Sequence, residues 1–314
     1  MISRHFELTR RDWMRITGQA AFATAIARTA GASAQTAAPA RRPALCFFSK
    51  HLPDLGWADL GRAVKDVGFD GVDLTVRAGG HVLPARAADD LPRAIDAIKA
   101  QGMAVPMVTT ELTSAGDATA KPLLQAAVRS GVRYFKPGYW RYTSSSDVRS
   151  QVAAASRALE GLAALAGECG IELGFHNHAG YIGAALWEIA PAMDRLDPQW
   201  AGYYFDPRHA VAEGGGGAWK AATHLVAPRL KMVALKDFFW KKTEKGWVIE
   251  DCPMGDGMVD WAWVGKALRD ANFNGPISIH FEYEIPGSTP QERTHRTLEA
   301  AARDLAYARR VLRG

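Results

Sequence analysis

Two histidines one residue apart, His176 and His178, end the apolar run IELGFHNHAG (Ile171–Gly180) where a strand gives way to a turn. PISIHFEYE (Pro276–Glu284) carries His280 and Glu282, AGYYFDPRHA (Ala201–Ala210) carries Asp206 and His209, and LKDF carries Lys236. Lys136 stands in VRYFKPG, and Glu111 follows MAVPMVTT. Side chains two apart share one face of a strand, so each stretch sends its imidazole, carboxylate or amine to one side. Histidine and aspartate supplied by several segments are what one divalent ion takes as ligands. A lysine or glutamate nearby can take a proton from the carbon next to a carbonyl, or neutralise the charge that results. A lone histidine at a strand end is ordinarily structural. Burying so many of these groups without partners would be costly, so together they call for a shared role.

The elements that must position them are regular. Eight apolar runs of strand length begin near residues 44, 69, 103, 132, 171, 201, 231 and 276. Segments of helical period lie between and after them, among them WADLGRAVKDVG, DLPRAIDAIKAQG, DVRSQVAAASRALEGLAALAGECG, AALWEIAPAMDRL and WAWVGKALRDANF. Gly68, Gly102, Gly131 and Gly170 sit where such helices end and the next strand starts, as helix-capping glycines do. Eight alternating units predict an α/β fold, a single-domain (β/α)8 TIM barrel over residues 43–314. A doubly wound open sheet would call for a glycine fingerprint after a strand; EGGGG (Glu213–Gly217) is not one and reads as a flexible loop. Active sites of such barrels lie at the C-terminal ends of the strands. Alternation turns Gly174, His176 and His178 inward, with Ser278, His280 and Glu282 on the last strand, while Leu173, Phe175, Ile277, Ile279 and Phe281 face the helices.

The stretches FFSKHL, FDGVDLTVR, GFHNH, FDPRHA, LKDF and ISIHFEYE, in this order from about residue 42 to 312, resemble the xylose-isomerase-like superfamily of sugar phosphate isomerases and epimerases. The resemblance implies a divalent metal held by Glu, Asp, His and Glu from strands five to eight, with the two glutamates moving protons beside a carbonyl. This sequence keeps the aspartate as Asp206, but has His176, Ala234 and His280 at the other three positions. The expected ligands are therefore His176, Asp206 and His280, a softer set suited to Mn²⁺, Zn²⁺ or Fe²⁺ rather than Mg²⁺. The expected proton-moving groups are Lys236, Glu282 and Lys136, with Glu111, His178, His209 and Trp140 contacting the substrate.

Three functions compete. A metal-dependent sugar isomerase or epimerase working through an enediolate comes first. A lyase or hydratase would use the same enolate to expel a β-substituent, for instance from a 3-keto-glycoside. A non-catalytic carbohydrate-binding barrel would stack sugars on Trp140, Trp240 and Tyr139. The partner in each case is a small-molecule carbohydrate.

Residues 1–34 hold five arginines against Glu7 and Asp12, net +3 of the chain's +5, so the remainder requires no nucleic-acid partner. TRRDWMR (Thr9–Arg15), an Ala-rich stretch and Ala32-Ser33-Ala34 resemble a twin-arginine signal with its cleavage site. They predict passage through the twin-arginine export machinery to the periplasm, with residues 35–42 as a linker. The apolar stretch is too short for stable membrane insertion. Three cysteines are too few for a disulfide framework, and a homo-oligomer stays open.

Overall fold

The structure, a computed structural model, describes residues 42–313 apart from Ser145. The export signal expected at 1–34 and nearly all of the 35–42 linker lie outside the described residues. The strands are β1 (Leu45–Phe48), β2 (Gly71–Val76), β3 (Ala104–Thr110), β4 (Tyr134–Lys136), β5 (Glu172–His176), β6 (Ala201–Phe205), β7 (Leu230–Leu235), β8 (Asp237–Thr243), β9 (Gly246–Cys252) and β10 (Ile277–Ile279). Eight of them close a parallel barrel in the order β1-β10-β7-β6-β5-β4-β3-β2, and β8 and β9 form a separate antiparallel hairpin.

The helices follow the strands as the periodicity requires: α1 (Trp57–Val67), α2 (Ala87–Ala100), α3 (Ala120–Arg129), α4 (Val148–Cys169), α5 (Ala190–Met193), α6 (Pro207–Val226), α7 (Trp261–Asp270) and α8 (Pro290–Arg313). Gly170 ends α4 at φ 79°, a left-handed cap that lets the chain turn straight into β5. The main core lies between barrel and helices, where Leu74, Leu173, Phe175, Ile277 and Ile279 are buried. The barrel interior is a smaller cluster of Met107, Tyr134, Tyr204, Met232 and Ala234. A Cβ at Gly174 would collide with Met232, so this glycine makes room for the plug beneath the site.

Three expectations change in detail. The apolar run after residue 231 breaks at Lys236, where the chain leaves the barrel for the β8–β9 hairpin. The EGGGG stretch lies within α6, interrupted at Gly215 (φ 55°, ψ −160°), and is not an open loop. AALWEIAPAMDRL yields only a 3-10 turn at Leu186–Glu188 and the four-residue α5. Cys46, Cys169 and Cys252 are free thiols.

Candidate active site

The strand ends open into a cavity of about 110 Å³. Its wall includes His176, His178, His280 and Glu282, the cations Lys50, Arg77, Lys136 and Lys236, and the aromatic residues Phe48, Tyr139 and Tyr204. Beside it, three donors converge on one oxygen of the buried Asp206. His176 Nε2 lies 3.1 Å from Asp206 Oδ2, Lys236 Nζ 3.2 Å, and His209 Nε2 3.6 Å. Asp206 Oδ1 accepts the backbone N–H of His209 and caps α6, with Pro207 at its first turn. Burial alone would raise the Asp206 pKa; Lys236 and the two imidazoles outweigh it and hold the carboxyl ionised, well below its ordinary range. Between the two histidines, Asn177 exchanges both amide hydrogen bonds with the backbone of Asp206 (2.8 and 3.0 Å), tying the end of β5 to that of β6.

The hydrogen bonds also fix where the ring protons sit. His176 Nε2–H donates to Asp206, so its Nδ1 accepts from the Tyr139 hydroxyl at 2.8 Å. His209 Nδ1 faces Arg208 Nη1 at 3.0 Å; a guanidinium only donates, so the proton of this neutral ring is on Nε2, which has no hydrogen-bond partner among the described residues. His178 Nδ1–H donates to the Ala179 carbonyl, leaving Nε2 with the lone pair. Burial pushes the His176 pKa down to about 3 and that of His178 to about 4, so both rings are neutral at pH 7.

His280 is organised from below. Asp73 Oδ2 accepts from Ser278 Oγ (2.8 Å) and the Tyr204 hydroxyl (3.4 Å), and Oδ1 accepts from Thr109. Having donated to Asp73, Ser278 and Tyr204 can only accept from His280 Nε2, each at 3.2 Å. The proton of His280 is therefore on Nε2. Its Nδ1 is a buried lone pair without a hydrogen-bond partner among the described residues, 3.8 Å from Glu282 Oε1. Phe48 stacks on this ring at 4.3 Å, and burial and Lys236 push its pKa well down, keeping it neutral. Glu282 receives Lys50 Nζ on both oxygens (2.7 and 3.0 Å). Burial raises its pKa, but Lys236 and Lys50 prevail and bring it down to about 2.

The arrangement departs from the expected site in several places. His176, Asp206 and His209, not His280, offer ligand-type atoms within 4.8 Å of one another. His280 stays out of that group because its Nε2 is turned onto Ser278 and Tyr204. Lys236, expected as a base, is an ion-pair partner of Asp206 and stands 3.9 Å from Glu282. His209 is covered by His178, their ring centroids 4.0 Å apart, and does not line the cavity. Trp140 stacks on Phe175 in the outer core, and Glu111 is exposed; neither lines the cavity. Lys136 does, with its Nζ 3.4 Å above the centre of the Tyr139 ring. Asp73, Arg77 and Lys50 were missed, although the period-2 alternation of DLTVR already places Asp73, Thr75 and Arg77 on one face.

The family described as the xylose isomerase-like TIM barrel matches residues 61–309. The inosose dehydratase of Clostridium perfringens is 30% identical over 147 residues, 43% of this chain and 48% of that protein, so the match spans about half the relative's length. Among solved structures, D-psicose 3-epimerase with D-tagatose from Clostridium cellulolyticum superposes with a TM-score of 0.64 at 14% identity, covering 86% of this chain and 99% of that one. A xylose isomerase-like TIM-barrel protein from Mycobacterium smegmatis in complex with magnesium gives 0.60 at 17% identity, covering 84% and 97%. At these identities the likeness is one of fold.

Proposed function

The chain belongs to the xylose isomerase-like TIM-barrel family, and on that premise we propose that it is an isomerase or epimerase that removes and returns the proton beside the carbonyl of a sugar or keto-sugar. The observation that carries this reading is a pair of bare imidazole nitrogens, His280 Nδ1 and His178 Nε2, on residues that line one cavity with ammonium groups. Epimerisation takes a proton from one face of a carbon and delivers one to the other, so two separately held bases suit it. His280 Nδ1 takes the proton and Lys236 donates to the carbonyl oxygen as it gains enediolate charge. Phe48 over the His280 ring keeps water from that side. On the opposite face His178 delivers a proton that its bare Nε2 has first taken from solvent, and the proton taken by His280 passes to solvent, so both rings return to neutral.

A divalent ion bound in such a barrel polarises the carbonyl oxygen. The group formed by His176, Asp206 and His209 meets the distance requirement for one. As arranged it does not fit: both histidines present N–H rather than a lone pair, and Lys236 holds the oxygen an ion would take. In the reading proposed here the Lys236 ammonium stands in the ion's place.

A second reading, elimination of a β-hydroxyl from the same enediolate, is favoured by the similarity to inosose dehydratase. Proton NMR in D₂O with ketoses, inososes and 3-keto-glycosides tests both. Exchange of the α-hydrogen with all carbon–oxygen bonds kept supports the first, and exchange with loss of water or aglycone the second. A protein that binds these compounds without exchanging any hydrogen is a binder, and the proposal fails. We also propose that residues 1–34 direct export to the periplasm through the twin-arginine route.

A further inference from the structure

Four cationic side chains reach the cavity, and two of them are spoken for. Lys50 is bound by Glu282, and Lys236 by Asp206. Among the described residues, Arg77 and Lys136 have no side-chain hydrogen bond or ion pair; their charged ends lie over the faces of Phe48 (5.9 Å) and Tyr139 (3.4 Å). The carboxylates near them make no direct bond to either: Asp73 bonds three hydroxyls, Glu282 holds Lys50, and Glu111 is exposed. Lys136 is 2% exposed, and its amine belongs to the cavity wall. Arg77 is held at the cavity by a tight turn in which Gly80 N–H donates to its carbonyl, braced by His81 N–H on Thr75 Oγ1.

A guanidinium and an amine without ion-pair partners thus share one wall, and Asp73 and Glu111 act on Lys136 only through space. We propose that they form a subsite for a carboxylate, so that the substrate of the reaction proposed above is a sugar acid rather than a neutral sugar. A guanidinium fork matches the two oxygens of a carboxylate, and the ammonium adds a second charge-assisted bond. Burial and the neighbouring Arg77 depress the Lys136 pKa in the empty cavity; an anion beside it restores the proton.

Calorimetric titration of the full chain tests this without relying on turnover. The probes are D-glucuronate, D-glucose and D-glucose 6-phosphate, at low and high salt. Glucuronate is expected to bind at least tenfold more tightly than glucose, with the difference shrinking in salt. Arg77→Gln and Lys136→Met should each remove most of the preference, and Arg77→Lys should keep part of it. Equal binding of glucuronate and glucose, no binding of glucuronate, tighter binding of the phosphate ester, or a preference that survives Arg77→Gln would each overturn the inference. Because no chemistry is read, a protein that prefers glucuronate but exchanges no α-hydrogen disproves the proposed reaction and leaves the subsite standing.

Discussion

Lys236 Nζ lies 3.2 Å from Asp206 Oδ2, and both side chains are buried. The ammonium thus occupies the one anionic oxygen on which His176 and His209 also converge. Lys236→Met removes the competing cation and the donor to the developing oxyanion together. Manganese affinity, followed by metal analysis and titration, should rise. Turnover should fall by about 100-fold or more, as when an oxyanion donor is lost. A variant that takes up no more manganese than the native protein and retains its turnover would remove Lys236 from the centre of the site.

Asp73 is a positioning residue for His280. Asp73→Asn gives Ser278 and Tyr204 a donor to accept from, so they can donate to His280 Nε2 and drive its proton to Nδ1. Turnover should drop about 100-fold, the scale of a general base, with the thermal midpoint little changed. Burial raises the Asp73 pKa to about 6, so native activity should also decline as pH falls through 6, and the asparagine variant should lack that limb. A variant with the native pH profile would show that Asp73 does not set the tautomer.

Stability should increase with pH between about 4 and 6.5. Burial brings His51 and His176 down to about 3 and His178 to about 4. In that window the unfolded chain binds protons that the native rings refuse, so their contribution is lost as pH falls. Asp73 and Asp304 act in the other direction; burial raises both to about 6, making stability fall as pH rises from about 4 to about 6. These three imidazoles, joined by His209 and His280, which burial also lowers, outweigh two carboxyls, so the urea midpoint at pH 5 should lie below that at pH 7. A midpoint that is higher at pH 5 would contradict the assignment of neutral buried rings.

The export proposal is tested by replacing Arg10 and Arg11 with lysine, which should retain the protein in the cytoplasm. Unchanged recovery from the periplasm would dispose of it.

Alternation along the strands made the positions of His176, His280, Lys136 and Lys236 legible, because a closed barrel leaves each strand residue only two directions. Their roles were not legible. Whether Lys236 is a base or an ion-pair partner depends on a carboxylate 30 residues away, just past the end of β6. The lone pair of His280 depends on Asp73, more than 200 residues distant. Trp140 and Glu111 follow the ends of their strands, where period-2 reasoning no longer says which way a side chain turns. The start of the β8–β9 hairpin was hidden because the apolar run of β7 breaks at Lys236 without a glycine or proline, while the polar turn at Gly246 (φ 105°) was the signal that could have found it.

Asp237, next to Lys236, accepts hydrogen bonds from the backbone of Phe238, Gly255 and Val259 and from the Trp261 indole. It knots the two feet of the hairpin together at the point where the chain leaves β7. Residues 239–250 are thereby a module hung from a fixed collar, and divergence can lengthen, shorten or exchange them without moving Lys236. Asp251, just past that module, grips Arg208 at 2.9 Å and through it fixes the proton of His209. Descendants of this barrel that acquire new substrates by remodelling the hairpin are therefore expected to vary its tip and keep both aspartates.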